Sequence, residues 1–182
     1  MFSGFLYGVG ACLIWGTVYV IPELLSDHSP LWISLLRYAV FGFFSALLLL
    51  AKHREAARLS KSDWLEAALL GVIGNLLYYW VLSAAVVRIG ASLAAVFSAL
   101  IPLTASLTAC LTDRSRRGSA RRLAVPFVLI ALGLFLLNSQ RLQLIGTVAA
   151  GVSAAEYGFG LLLAVLSVVI WTWFPLANAA WL

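Results

Sequence analysis

Six long apolar stretches follow one another along the chain, at about 4–25, 31–51, 65–87, 91–112, 123–138 and 158–182, and the charged residues collect mostly between them. A membrane-spanning helix takes roughly 20 mostly apolar residues, a length the fifth stretch barely approaches and the others meet. None of the stretches shows the period-two alternation of a lipid-facing barrel strand. The pattern therefore predicts an all-α polytopic membrane protein of about six transmembrane helices. Asp63, just after a basic loop, is the predicted N-cap of the third helix, and Trp32 and Trp64 stand where interfacial aromatics anchor spans.

Composition strengthens that reading. The 182 residues are 63% hydrophobic and 10% charged, with a mean hydropathy of +1.02, far from the roughly 25% charged residues of a soluble domain. The first stretch is not read as a cleaved leader: residues 1–12 hold no Lys or Arg, and the apolar run continues past Cys12. Cys12 and Cys110 both fall within spans and form neither a disulfide framework nor a metal-ligand spacing.

The net charge of +5 would suggest a nucleic-acid partner in a soluble chain, but its distribution points to the bilayer. Lys52, Arg54, Arg58 and Lys61 lie between spans two and three, and Arg114, Arg116, Arg117, Arg121 and Arg122 between spans four and five, which is nine of the twelve basic residues on one side. The positive-inside rule puts both loops, and with them the N-terminus, in the cytoplasm. Anionic headgroups account for the charge, and no nucleic acid is needed. The expected location is the plasma membrane, in bacteria the inner membrane.

A membrane site needs polar atoms inside the spans, where charges are costly and mark function or a snorkelling helix end. Glu23, Arg37 and Glu156 qualify. Arg37 lies within reach of the outer interface and can snorkel to it. Alternatively it pairs with Glu23, because the short loop Ser26–Pro30 folds spans one and two into an antiparallel hairpin. Span one also carries Gly8, Cys12, Trp15, Tyr19 and Glu23 at helical spacing along one stripe. Pro22 is a candidate kink that frees a backbone carbonyl, and Pro102 is a second candidate kink in span four. Span three offers Gly71, Gly74, Asn75, Tyr78 and Tyr79. Small residues there serve close helix packing equally well, and Tyr78, Tyr79 and Trp80 equally suit an aromatic belt. Trp15 and Asn75 sit deeper, where an indole N–H or an amide needs a partner or a wet cavity. The candidate solute-cavity residues are thus Trp15, Tyr19, Asn75 and Tyr78, with Arg37 and Glu23 near the outer mouth.

The chain holds no HExxH, no GxSxG and no paired carboxylates within the spans, and His28 and His53 fall in loops. An enzyme is not expected, nor a metal, nor a cofactor. The expected partners are the lipid bilayer and a small-molecule solute.

An internal repeat is visible at an offset of 156. GFLYGVGACLIW (4–15) against GLLLAVLSVVIW (160–171) gives five identities in twelve, among them Gly4/Gly160 and Trp15/Trp171. Five spans separate the segments, so the sixth crosses the membrane in the sense opposite to the first, as in inverted-topology transporter repeats.

The chain resembles EamA-type members of the drug/metabolite transporter superfamily. The resemblance rests on Ile14-Trp15-Gly16, on Ser29-Pro30 leading to Leu36-Arg37-Tyr38, and on Asn75–Leu82. It continues through Ala91-Ser92-Leu93-Ala94-Ala95, Ile101-Pro102-Leu103 and Ala131-Leu132-Gly133. It departs where the family often shows Gly-Glu and this chain has Thr112-Asp113. The resemblance implies one five-helix repeat over 1–139, an outer connecting segment over 140–157, and over 158–182 the first helix of an inverted second repeat whose remainder is missing or sits on a partner chain. It also implies a permease or exporter of small metabolites or drugs, amino-acid-like solutes among them. The alternative is a non-transporting membrane subunit or an inactive truncated remnant.

Overall fold

The computed structural model describes residues 2–112, 124–147 and 153–181, and all of the regular structure among them is helical. Helix α1 spans Phe2–Leu24 and α2 Pro30–Ala51, followed by the short α3, His53–Ala56. The third crossing is continuous but not uniform: α4 (Lys61–Gly71) passes into a π-helical segment, Val72–Leu77, and then into α5 (Tyr78–Ile89). The fourth consists of α6 (Ala91–Ser98) and α7 (Ile101–Thr112), and two further helices follow, α8 (Ala124–Thr147) and α9 (Ala154–Trp181). Among the described residues five crossings are long and apolar enough to span a membrane: Gly4–Leu24, Pro30–Ala51, Lys61–Ile89, Ala91–Cys110 and Ala154–Trp181. In α8 the apolar run Ala124–Gly133 is shorter, but the helix continues to Thr147, past the predicted end of its span.

Local chemistry explains most boundaries. At α2, the Ser29 hydroxyl accepts from Trp32 N–H, and Pro30 occupies the first helical turn, where its missing N–H costs nothing. The predicted Asp63 cap is corrected to Ser60. The Ser60 hydroxyl accepts from Asp63 N–H while the Asp63 carboxylate accepts from Ser60 N–H, a reciprocal capping box that starts the helix at Lys61, four residues before the predicted span. Between α5 and α6 the chain turns at Gly90, whose φ of 84° strains any residue with a Cβ. Pro102 sits in the first turn of α7, so the fourth crossing is interrupted at Ala99-Leu100 and not merely bent. The five-Arg segment and Asp113 lie outside the described residues, as does 148–152 of the outer connecting segment.

The α4–α5 crossing is the central strut. Its α5 half buries Tyr78, Tyr79, Val81, Leu82, Ala85, Val86 and Ile89, and α1, α2, α6 and α9 pack around it. By contrast, α1 and α2 leave most of their apolar side chains exposed, as lipid-facing helices do.

Contacts along α5 set the directions of its neighbours. On α9, Gly160 lies against Arg88 and Ile89, Trp171 against Tyr78, and Phe174 against Gly74, so α9 runs antiparallel to α5. On α1, Trp15 meets Trp171 at the level of Tyr78, while Glu23 reaches Ala91 just beyond the end of α5, so α1 runs parallel to it. Helices α1 and α9 therefore run in opposite senses and meet where their repeat-equivalent tryptophans touch. Glycine is required at two of these crossings. A Cβ at Gly74 would enter the Phe174 ring, and one at Gly160 would stand 2.6 Å from Ile89 Cγ2. A hydroxyl pair, Thr104 and Thr172 at 2.6 Å, ties α7 to α9.

Candidate functional site

A cavity of about 440 Å³ opens where α1, α2, the π-helical segment, α5 and α9 converge. Four of the six predicted cavity residues border it: Trp15, Arg37, Asn75 and Tyr78. Each is placed by its own helix. Trp15 lies mid-way along α1 and meets Trp171 edge-on, ring centroids 5.8 Å apart. Tyr78 begins α5 and lies 4.4 Å from Trp171, which is itself stacked on Phe174 at 5.2 Å. The wall is thus a run of π-faces from three helices, a lining suited to apolar or amphiphilic solutes.

Asn75 lies within the π-helical segment. Its amide nitrogen donates to the Leu70 carbonyl at 3.4 Å, five residues back. A π-helical insertion shifts the side-chain register and so turns Asn75 and Tyr78 onto the cavity while Gly74 receives α9. Such segments recur at functional sites because of that shift.

Arg37 has the most unusual surroundings. The proposed ion pair with Glu23 is not formed. Among the described residues the salt bridge is Lys52–Glu55 on the α2–α3 surface. Glu23 instead accepts from the Ala91 backbone N–H at 3.2 Å, because the N-terminus of α6 offers unpaired donors and a partial positive charge at that end of the bundle. Arg37 lies over two rings, its guanidinium carbon 4.5 Å from the Tyr79 centroid and 5.5 Å from that of Phe41. Its Nε is buried with no hydrogen-bond partner, and the Tyr79 hydroxyl, on a side chain 1% exposed, is likewise unpartnered.

The other predicted residues fall outside the cavity wall. Tyr19 is half-buried against the core, beside the Tyr78 hydroxyl. Glu23 is exposed at the α1 terminus. Pro22 is buried within the last turn of α1, and Pro102 lies in the first turn of α7. The structure also resolves the aromatic-belt alternative: Tyr78 and Tyr79 face the core, whereas Trp80 is 41% exposed.

Tyr38, Phe41, Tyr79 and Trp171 line the cavity too but were not among the predicted site residues. Phe41 was legible as the i+4 neighbour of Arg37, a spacing that stacks a cation on a ring. Trp171 was visible only as the echo of Trp15. Tyr38 was marked only as part of the Leu36-Arg37-Tyr38 stretch of the resemblance, and no sequence signal marks the π-helical segment. Among the described residues no cluster of His, Cys, Asp or Glu could hold a metal ion.

Comparison with known proteins matches residues 2–139 to the EamA-like transporter family. The chain is also 32% identical over 184 aligned residues to the inner membrane protein YtfF of Escherichia coli (strain K12). That alignment covers 100% of this chain but 56% of the relative, so the chain spans little more than half the length of that protein. No solved structure matches it.

Proposed function

Because the chain belongs to the EamA-like transporter family, we propose that the aromatic cavity is the solute-binding part of a small-molecule permease or exporter in the inner membrane. The observation that carries this reading is the cavity itself. Aromatic faces from α1, α5 and α9 converge with the Asn75 amide and one cation, Arg37, in a volume of about 440 Å³, within the roughly 300–1,000 Å³ range of small-molecule sites. Rings and a single charge suit amphiphilic or zwitterionic solutes, amino acids with apolar side chains among them.

The basic loops favour a cytoplasmic N-terminus, and the antiparallel crossing of α1 and α9 supports treating α9 as the first helix of an inverted second repeat. Alternating access rocks one such unit against another, so activity requires the opposed unit, whichever chain supplies it. Residues 1–182 reconstituted alone are expected to bind solute without transporting it.

Tryptophan fluorescence in nanodiscs tests the binding step. Phenylalanine and leucine should change the emission saturably, and Trp171→Phe should remove most of the response. No saturable response to either amino acid, or an undiminished one in Trp171→Phe, refutes the reading.

A further inference from the structure

A second, larger void of about 680 Å³ lies between α1 and α2. It is a groove open on its flank, and Ile14, Ile21, Leu25 and Leu36 on its walls are all exposed in the chain. His28 and Trp32 stand at its mouth. Arg37 lies seven residues beyond Pro30, about 10 Å deeper at the helical rise. Arg37, Phe41 and Tyr79 border both this groove and the aromatic cavity, so they form the partition between the two.

That partition is polar and unsatisfied. Among the described residues four buried polar atoms lack hydrogen-bond partners: Arg37 Nε and Tyr79 OH belong to the partition, while Ser34 Oγ and Ser83 Oγ lie in the same α2–α5 seam but border neither void. Since α2 and α5 are antiparallel with Arg37 level with Tyr79, Ser34 and Ser83 fall at matching register one turn further along. Orphaned donors in such a seam are expensive. A guanidinium held between rings without a carboxylate leaves its charge uncompensated at membrane depth. An anion in the groove would compensate that charge and bring an acceptor to Arg37 and Tyr79, the two members of the seam that border it.

We propose that the α1–α2 groove binds a single-chain amphiphilic carboxylate taken from the surrounding bilayer, its head on Arg37 and Tyr79 and its acyl chain along the apolar walls. Charge complementarity selects a monoanion, and the exposed flank selects an acyl chain. The depth of Arg37 selects a small head. A phospholipid headgroup is bulky and holds at the interface, whereas a carboxylate at the end of one chain can follow the groove inward. This site adjoins the aromatic cavity and rests on the same membrane-embedded arrangement, but it does not require that cavity to bind amino acids.

The test uses the full chain in phosphatidylcholine nanodiscs, with 5-doxyl-stearate as a nitroxide quencher of tryptophan fluorescence and dodecanoate as competitor. Quenching should be saturable and displaced by dodecanoate. Methyl dodecanoate and dodecyltrimethylammonium should compete at least about tenfold more weakly, the scale of a lost charged hydrogen bond. Arg37→Gln should weaken dodecanoate by a similar factor and Tyr79→Phe by about threefold. Thr17 lies on the groove wall away from that seat, and Thr17→Phe, which fills the groove without adding an indole to the readout, should abolish dodecanoate binding and leave the phenylalanine response intact. If Arg37→Gln does not fold, the ester comparison on the unsubstituted protein and the Thr17→Phe variant decide the matter. Equal competition by the ester, or unchanged affinity in folded Arg37→Gln, overturns the proposal. So does displacement of dodecanoate by phosphatidylglycerol added to the disc, which would make the groove a headgroup site. Dodecanoate binding without a phenylalanine response sinks the amino-acid reading alone; the reverse sinks the groove alone.

Discussion

Gly160→Ala should weaken the docking of α9 onto α5, and its repeat-equivalent Gly4→Ala should not. The contrast follows from what each added methyl would meet. At Gly160 an ideal Cβ lies 2.6 Å from Ile89 Cγ2 and 2.8 Å from Arg88 Cβ, whereas apolar carbons rest about 3.5–4.0 Å apart. Neither neighbour can swing aside. Ile89 is fully buried. Arg88 Cβ is fixed by the backbone, and the guanidinium end of the side chain is held twice, Nη1 donating to the Ala84 carbonyl at 2.7 Å and Cζ lying 5.2 Å from the Phe159 centroid. The helices must separate, and overpacking of this kind costs about 1–3 kcal/mol. Alanine recovers up to about 1 kcal/mol through helix propensity. After full recovery the net loss is up to about 2 kcal/mol, as much as a roughly 30-fold weaker docking equilibrium, and relative to Gly4→Ala, which gains the same propensity term, the deficit is about 1–3 kcal/mol. At Gly4 nothing lies within 4 Å, so only the favourable propensity term acts. The assay is a titration of bicelle-embedded protein with SDS, scoring docking by disulfide formation between Thr104→Cys and Thr172→Cys in a background free of Cys12 and Cys110. The midpoint for Gly160→Ala should fall below that of the parent, and Gly4→Ala should match or exceed it. Equal midpoints for the two alanine variants would refute the argument that a close backbone crossing at Gly160 seats α9.

Thr172→Val should cost about 0.6 kcal/mol in an SDS titration of the chain with both threonines otherwise in place, followed by tryptophan fluorescence, the usual worth of an interhelical hydrogen bond in a bilayer. The loss is small because Thr104 keeps the Leu100 and Ile101 carbonyls as acceptors; a loss above about 2 kcal/mol would mean Thr172 does more than the pair shows. Ser60→Ala removes half of the capping box and should lower stability by about 0.5–2 kcal/mol, with hydrogen exchange rising across Lys61–Trp64 and unchanged exchange counting against the cap. Glu23→Gln keeps an acceptor for Ala91 N–H but loses its charge, so at this exposed site it should cost under about 1 kcal/mol. Glu23→Ala should cost more and loosen the α1–α6 contact, read as faster labelling of a cysteine placed at Ala91.

The number of crossings, their lipid-compatible character and the basic loops were all legible in the sequence, because a bilayer imposes them residue by residue. Twenty apolar positions are needed wherever a helix crosses, and charge is excluded from the interior whatever the neighbours are. The echo of Trp15 in Trp171 was equally visible, since it needs only a comparison of the chain with itself. Boundaries followed local chemistry less visibly: Asp63 was an obvious cap, yet Ser60, three residues earlier, takes that role and leaves Asp63 to complete the box.

Only the tertiary structure decided which polar groups met. Glu23 and Arg37 were plausible partners because hairpin geometry brings their helices together, but α6 presents unpaired N–H groups to the one and α5 presents an aromatic face to the other. Neither competitor is adjacent in sequence. The same holds for Tyr79, indistinguishable from a belt tyrosine until α2 covers it, and for the π-helical segment, where Gly74 meets Phe174 of α9. Hydropathy records what each residue needs from the lipid. Which residue then satisfies a buried donor depends on distances that only the packed helices define.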